Sequence, residues 1–520
     1  MSNTFDLTDY HHKIAAFTKE NNKNFCIKAG PGSGKTTTLF SLVIPGLMKT
    51  GKESGAAIAF NTKNAKDFET VNRWPNQIVC ATIHAFCLRL LKAKFPFIRV
   101  NAPKKAGKNF SAGGRWEKEK PGKVKDTIAR LYPDCTDGEA NLVARLVSLG
   151  QNNAFGIGDN PEICISSFRE LMDKYTINQP DGEDSLDLSE VAYEVFKDVI
   201  ENVREIDFGD MPYFLLKYGV ELPKLDFLCF DEAQDMFPII LELLAKMSEN
   251  GTRIIAVGDP NQAINRFAGS MDSAIDNLSI RIGADCFTLP VSYRCCIEAV
   301  KLANGLIPGS VIESEGAKAG SIERITMKEF DCDTLGNDAL IVGRFHKFLV
   351  PTAYTFMKKG RKFRYKGIKA VAGQMNRSLF FATKDNNNDL TDARRRLIEF
   401  IDEKESKIPA GKNPPQWLKT LKENIETLCE LIAVIQAEGG DLKTVKKYLD
   451  ILAAAEESTD GPTISSIHAC KGSQSDNLFL VGPLKADMPN MKDEERQSEL
   501  YAEYVAYTRG SDRITFVTEG

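Results

Sequence analysis

Short apolar runs recur through the first 290 residues: NFCIKA (24–29), GAAIAF (55–60), QIVCATI (77–83), LDFLCF (225–230), TRIIAVG (252–258) and ADCFTL (284–289). A run of five to seven residues without polar alternation fits a strand buried on both faces. Such strands separated by helices form a parallel sheet. TTTLFSLVIPGLMK, after the first run, reads as a helix opening whose pattern is interrupted by Pro45.

Two stretches break this rhythm. Residues 93–204 open with the basic loop KKAGKNFSAGGRWEKEKPGKVK and then show helical spacing in GEANLVARLVSLG and SEVAYEVFKDVIENV. Residues 376–456 begin polar (KDNNNDLTD) and continue with apolar positions three and four apart in DARRRLIEFIDEK and NIETLCELIAVIQAE. The expected class is α/β, with two parallel-sheet domains each carrying a mainly helical insertion. The basic run KKGRKFRYKGIK (358–369) is open to two readings, a segment tracking a phosphate backbone or a charged surface β-hairpin. The hairpin is preferred.

Composition narrows the class only a little. The chain has 520 residues, 42% hydrophobic and 27% charged, which is ordinary for a globular protein. The net charge of −4 does not announce a nucleic-acid partner, although local patches outweigh totals. The twelve cysteines form no CxxC or zinc-like spacing and are expected as buried free thiols in a reducing cytosol. No apolar signal core opens the chain, and no run approaches the roughly 20 apolar residues of a membrane span.

The chemistry enters with AGPGSGKT (29–36), which follows a strand and precedes a helix, as a phosphate-binding loop must. Its glycines let backbone N–H groups turn toward phosphate oxygens at a helix N-terminus. Ala29, Gly30, Pro31, Gly32, Ser33 and Gly34 would form this cradle. Lys35 would reach the β- and γ-phosphates of ATP, and Thr36 would ligate Mg²⁺. FDEAQD (230–235) supplies the acids: Asp231 for Mg²⁺ and Glu232 to orient and deprotonate the attacking water. An acidic first helical turn is the structural alternative for this pair. Phosphoryl transfer also favours an arginine against the equatorial oxygens, with candidates in LPVSYRCC (Arg294) and YVAYTRGSDR (Arg509).

AGPGSGKT, ATIHAF, FDEAQD, VGDPNQAI, SYR, HACKG and YVAYTR follow one another in an order that resembles UvrD/Rep-type superfamily 1 DNA helicases, across residues 25–513. The compact second insertion, DEAQD and VGDP are similar to the helicase part of the F-box DNA helicase branch. The resemblance implies two RecA-like domains with ATP between them. The first spans 1–92 and 205–277 around insertion 93–204. The second spans 278–375 and 457–520 around a reduced insertion, 376–456. It implies Gln262 as γ-phosphate sensor, Arg294 and Arg509 facing ATP, Tyr293 on adenine and Gly472 near the nucleotide. It places Phe60, Asn61 and Lys63 of IAFNTK, His84, Phe267 and His468 at or near single-stranded DNA, which aromatic faces grip without regard to sequence. Core packing is the alternative for the two phenylalanines, and loop-shaping hydrogen bonds for the two histidines.

Several positions depart from the family. His11 and His12 stand where an adenine-reading glutamine falls, and Thr37 where some relatives place an arginine. Asn265 and Ala268 replace an aromatic and an arginine, and Ser473, Gln474 and Ser475 replace Leu-Glu-Phe. They mark a divergent member, with a viral or mobile-element origin as a guess. The expected activity is ATP-dependent 3′–5′ translocation along single-stranded DNA with duplex separation at ss/ds junctions, in replication, recombination or repair, alongside proteins of those pathways. The expected location is cytoplasmic (nucleoid, or host cytoplasm for a viral chain), without a membrane partner. A DNA-stimulated sensor or loader for a partner protein, a protein-directed ATPase and an RNA motor stay open.

Overall fold

The computed structural model describes residues 7–59, 77–100, 122–158, 162–175, 177–179, 186–265, 269–309, 312–314, 317–384, 389–408, 414, 416–484 and 493–518. Fourteen strands are present among them: β1 (Phe25–Ala29), β2 (Gly55–Ala59), β3 (Ile78–Thr82), β4 (Arg99–Val100), β5 (Glu205–Ile206), β6 (Phe227–Asp231), β7 (Arg253–Gly258), β8 (Asp285–Leu289), β9 (Ser321–Thr326), β10 (Leu340–Gly343), β11 (Arg364–Lys366), β12 (Thr463–Ser466), β13 (Ser475–Val481) and β14 (Gly510–Thr518). Two sheets of six strands have the orders β3-β2-β6-β7-β1-β8 and β11-β12-β10-β13-β14-β9, and all their pairings are parallel. The class is therefore α/β, two parallel sheets with helices, the arrangement of two RecA-like domains. The chain groups into two compact units: Met1–Ala29 with Gly34–Leu289, and Pro290–Gly520, with which Gly30–Ser33 groups.

The apolar runs of the first unit are continuous because their alternate residues enter different cores. On one face Phe25, Ile27, Phe227, Cys229, Ile255 and Val257 pack with Leu39, Val43 and Leu47 of the helix after β1. On the other, Cys26, Leu228, Phe230, Ile254 and Ala256 share a core with Leu146, Phe168, Phe196 and Phe214. The helices Asp137–Asn152, Ile165–Lys174 and Leu188–Glu201 thus continue the core of the sheet. Phe168 lies edge-on to Phe155 and Phe196, with ring centroids 5.3 and 5.5 Å apart. The basic loop KKAGKNFSAGGRWEKEKPGKVK falls mainly in residues 101–121, outside the described residues.

In the second unit, helices Leu390–Ser406, Gln416–Ala437 and Leu442–Ala455 bury Leu397, Ile432 and Leu449 in one core with Ile341, Tyr365 and Ile464 of the sheet. Pro45 interrupts the helical pattern as expected: a π-helical turn, Leu39–Val43, precedes it, and α-helix resumes over Ile44–Lys49 with Pro45 in its first turn. One expectation is corrected. Residues 358–369 are not a hairpin. They are a helix end, the short edge strand β11 paired in parallel with β12, and the start of the helix Lys369–Ala382. The aromatics of this run face inward, Phe363 buried and Tyr365 fully so. Its cations are spent on the protein itself: Lys358 on Glu438, Lys359 on Asp331 and Asp333, Lys362 on Asp460, Lys369 on Glu457. Arg361 and Arg364 donate to the carbonyls of Leu335 and Ser458.

Candidate functional site

β1 ends at the buried Ala29, and the chain turns through Gly30–Gly34 into a helical run starting at Lys35. Gly32 and Gly34 have φ of 69° and 78°, which L side chains rarely adopt, so the loop needs glycine at both. Ser33 N–H donates to Gly30 O at 3.3 Å and Thr38 Oγ1 to Gly34 O at 2.9 Å. Ser33 is buried, and its Oγ has no hydrogen-bond partner among the described residues. Lys35 is half-buried; Thr36 and Thr37 are exposed on the first helical turn.

β6 and β7 are in register next to β1, with Asp231 level with Val257 and Lys28 level with Gly258. Their carboxyl ends therefore deliver FDEAQD and VGDPNQ side by side, where ligands of parallel sheets bind. Asp231 is 1% exposed. Glu232 takes the left-handed conformation (φ 57°), and its N–H donates to Asp231 Oδ1 at 2.9 Å. A non-glycine residue held there is a strained position of the kind found at active sites. Gln234 donates from Nε2 to Glu232 Oε2 at 2.5 Å, and its Oε1 accepts from Asp259 N–H at 3.0 Å. Asp259 in turn accepts from Gln262 Nε2 at 2.7 Å and Asn261 N–H at 3.1 Å. A Cβ on Gly258 would stand 2.2 Å from Gln234 Oε1, so glycine permits this approach. Burial pushes the Asp259 carboxyl up, with Glu232 adding to it while Lys35 and the two donors oppose.

The segment opened by Asp259 is tied back to the acid motif on both sides of residues 266–268. Asn265 Nδ2 donates to Asp235 Oδ1 at 2.9 Å, Ser270 Oγ to Asp235 O at 3.1 Å, and Met271 N–H to Met236 O at 3.0 Å. Sequence reasoning gave Gln234 no role and treated Asn265 as a loss. Gln234 joins the acid pair to the Asp259–Gln262 segment, and the asparagine is a structural tie. The amide within DEAQD was the available signal for Gln234.

In the second unit Tyr293 is 42% exposed and Arg294 half-buried. The two arginine motifs are brought together, since Cys295 Sγ donates to Thr508 O at 3.6 Å. Arg509 is 1% exposed and donates to Val505 O at 2.9 Å, Ser473 O at 3.2 Å and Thr508 Oγ1 at 3.2 Å. Gly472 has φ 79° in open space; Gln474 is exposed, whereas Ser475 Oγ is tied to Asp338 O at 2.7 Å. His468 is half-buried, and burial first, then Arg344, hold its imidazole down at about 4. Arg344 itself clasps Glu499 through Nε (3.0 Å) and Nη2 (2.7 Å).

Phe60, Asn61, Lys63 and Phe267 lie outside the described residues. His84 is half-buried, and burial lowers its pKa. Its ring meets Phe208 edge-on at 5.8 Å, and Phe208 is 52% exposed. Phe208 was not anticipated; its trace in the sequence is one aromatic in the otherwise polar DFGD after β5. His11 is buried at the start of the helix Asp9–Glu20, where its Nδ1 accepts from Thr8 N–H at 3.3 Å and lies 2.7 Å from Thr8 Oγ1. That bond occupies one ring edge in capping the helix. All twelve cysteines are free, most of them buried. No helix among the described residues is long and apolar enough to cross a membrane.

No curated protein sequence matches the chain. The crystal structure of Arterivirus nonstructural protein 10 (helicase) aligns with 98% of this chain and 62% of its own length, at 10% identity and a TM-score of 0.31, a likeness too distant to carry over a site or a substrate. The UvrD/REP helicase N-terminal domain family matches residues 11–281, a span that holds the phosphate loop, the acid pair and the Gln262 segment. With more than half of its length matched and those motifs at adjoining strand ends, the chain belongs to the UvrD/REP helicase family.

Proposed function

We propose that this protein is an ATP-dependent helicase that translocates 3′ to 5′ along single-stranded DNA and separates duplex strands, in replication, recombination or repair. The observation that carries the reading is the network Glu232–Gln234–Asp259–Gln262 at the ends of β6 and β7, with Lys35 coupled to the same Asp259. It links the base for water attack to the sensing amide by hydrogen bonds, so occupancy at one end is felt at the other. The donor set suits magnesium-bound ATP. Asp231 and Glu232, at the carboxyl end of β6, are acids of the type that hold a divalent cation, and Lys35 lies within electrostatic reach of the neighbouring Asp259. Thr36 and Asp231 would hold that ion, and its chemistry is to offset charge on phosphate oxygens.

The residues' own tasks follow. Lys35 and the loop N–H groups bind phosphate; Glu232 takes a proton from water; Gln234 fixes the Glu232 carboxylate. Gln262 presents its amide from a segment anchored by Asn265 and Ser270. Arg294 and Arg509 are proposed to face the nucleotide, with Tyr293, Thr37, Gly472 and Gln474 near its base and ribose. Phe60, Asn61, Lys63, His84, Phe208, Phe267 and His468 are proposed for DNA. The insertions 93–204 and 376–456 are proposed as the helical insertions of two RecA-like domains.

The test is unwinding of duplexes bearing 3′ or 5′ single-stranded tails, with ATP hydrolysis measured in parallel and RNA offered as a competing stimulant. Separation of 3′-tailed DNA with strong DNA stimulation supports the proposal. Stimulation without separation points instead to a sensor or loader, and preference for RNA overturns the DNA assignment.

A further inference from the structure

Cys26 and Cys286 are direct partners in register on the adjacent parallel strands β1 and β8. Partners in a parallel pair project to the same face of the sheet. Strands lie about 4.7–4.9 Å apart, inside the window of roughly 4.4–6.8 Å between Cα atoms that a disulfide bridges. The helix Ala274–Arg281 packs against β1. Two residues along β1, Lys28 pairs with Asp276 of that helix. The two sulfurs differ in access: Cys26 is fully buried, while Cys286 is exposed on the edge strand of the sheet.

We infer that Cys26 and Cys286 form a redox-active dithiol that reacts with low-molecular-weight disulfides of the glutathione type. Cys286 is the attacking thiol because it is the exposed member of the pair, and its surroundings, Cys26 first, lower its pKa while that of Cys26 is raised. The Cys286 thiolate attacks one sulfur of the small disulfide, forms a mixed disulfide and releases one thiolate. Cys26 then attacks the Cys286 sulfur, the second small thiolate leaves, and the Cys26 proton leaves with it. The balance is one protein dithiol and one small disulfide giving one protein disulfide and two small thiols. The protein disulfide would cross-link the sheet edge to the strand that carries the phosphate loop, which opens directly after Ala29.

The experiment treats the full chain with oxidised glutathione at neutral pH and reads intact mass and disulfide-mapped peptides. The expected wild-type product lacks two hydrogens, joins the Cys26 and Cys286 peptides and reverts on reduction. Cys26→Ser should stop at a mixed disulfide on Cys286, and Cys286→Ser should leave Cys26 unmodified. A wild-type chain that keeps the small thiol on Cys286, leaves Cys286 unreacted or cross-links other cysteines instead would overturn the inference. Peptide mapping reads the bond itself, so the result is independent of whether the helicase proposal holds.

Discussion

Gln262 donates from Nε2 to Asp259 Oδ2 at 2.7 Å, and the backbone N–H of the same aspartate is held by Gln234 Oε1 at 3.0 Å. Asp259 is therefore the joint, its carboxyl group holding the Gln262 amide and its backbone N–H meeting the Gln234 amide that binds Glu232. Local hydrogen bonds fix its geometry before any ligand binds, which lowers the reorganisation needed at the moment of reaction.

Replacing Gln262 by Ala removes a donor from a buried carboxylate, at a cost of about 1–3 kcal/mol. Gln262 lowers the Asp259 pKa, against burial which raises it. The bond thus favours the charged form, so the cost of losing it should grow as pH rises through the Asp259 titration and shrink as pH falls. Thermal melting of both proteins between pH 7 and pH 4 checks this. A difference constant across that range would assign the effect to lost packing.

Lys35→Ala should abolish measurable ATP hydrolysis by weakening nucleotide binding. Glu232→Gln should lower kcat by about 10²–10⁴-fold, the usual contribution of a general base, while nucleotide affinity is kept. Steady-state hydrolysis together with fluorescent-nucleotide binding separates the two. Equal loss of affinity in both variants would remove Glu232 from the base role.

Phe208 is exposed beside His84, so Phe208→Ala should leave the melting temperature unchanged. If the ring stacks on a base, single-stranded DNA affinity should fall by the roughly 5- to 150-fold that corresponds to about 1–3 kcal/mol. Phe267→Ala should likewise spare basal hydrolysis and weaken its stimulation by DNA. A loss of basal hydrolysis in either variant would mark a structural residue.

His346 and His468 are both held at about 4, by burial first and then by Arg344. A depressed imidazole contributes stability that is complete above the unfolded value of about 6.5 and is lost as pH falls toward the folded value. Acidification from pH 6.5 to 4 should therefore destabilise the second unit. For His346, whose Nδ1 lies 2.9 Å from the Tyr365 hydroxyl, the loss is on the order of 3 kcal/mol at the acid limit. His346→Gln should flatten this acid limb in a pH series of melting curves, and an unchanged limb would exclude His346 as its source.

Much of the fold was legible because strands buried on both faces need unbroken apolar runs: every run quoted from the first unit became a strand of one sheet. The phosphate loop was legible because its glycines are demanded locally, at Gly32 and Gly34. Residues 358–369 misled because alternating cations and aromatics look alike on a hairpin and on a parallel edge strand. The acids that neutralise Lys358, Lys359, Lys362 and Lys369 lie elsewhere in the sequence. Phe208 was missed because exposure cannot be read from a single aromatic.

Motif order, strand-forming runs and the chemical types available for phosphate, metal and proton transfer are written along the chain, since they depend on local spacing and side-chain chemistry. Which of them meet is set by the packing of segments distant in sequence. The alignment of β6 with β7 set Gln234 against Asp259, and the pairing of β1 with β8 set Cys26 against Cys286. Register between strands distant in sequence is fixed by burial of both faces at once, a condition that no single segment carries alone.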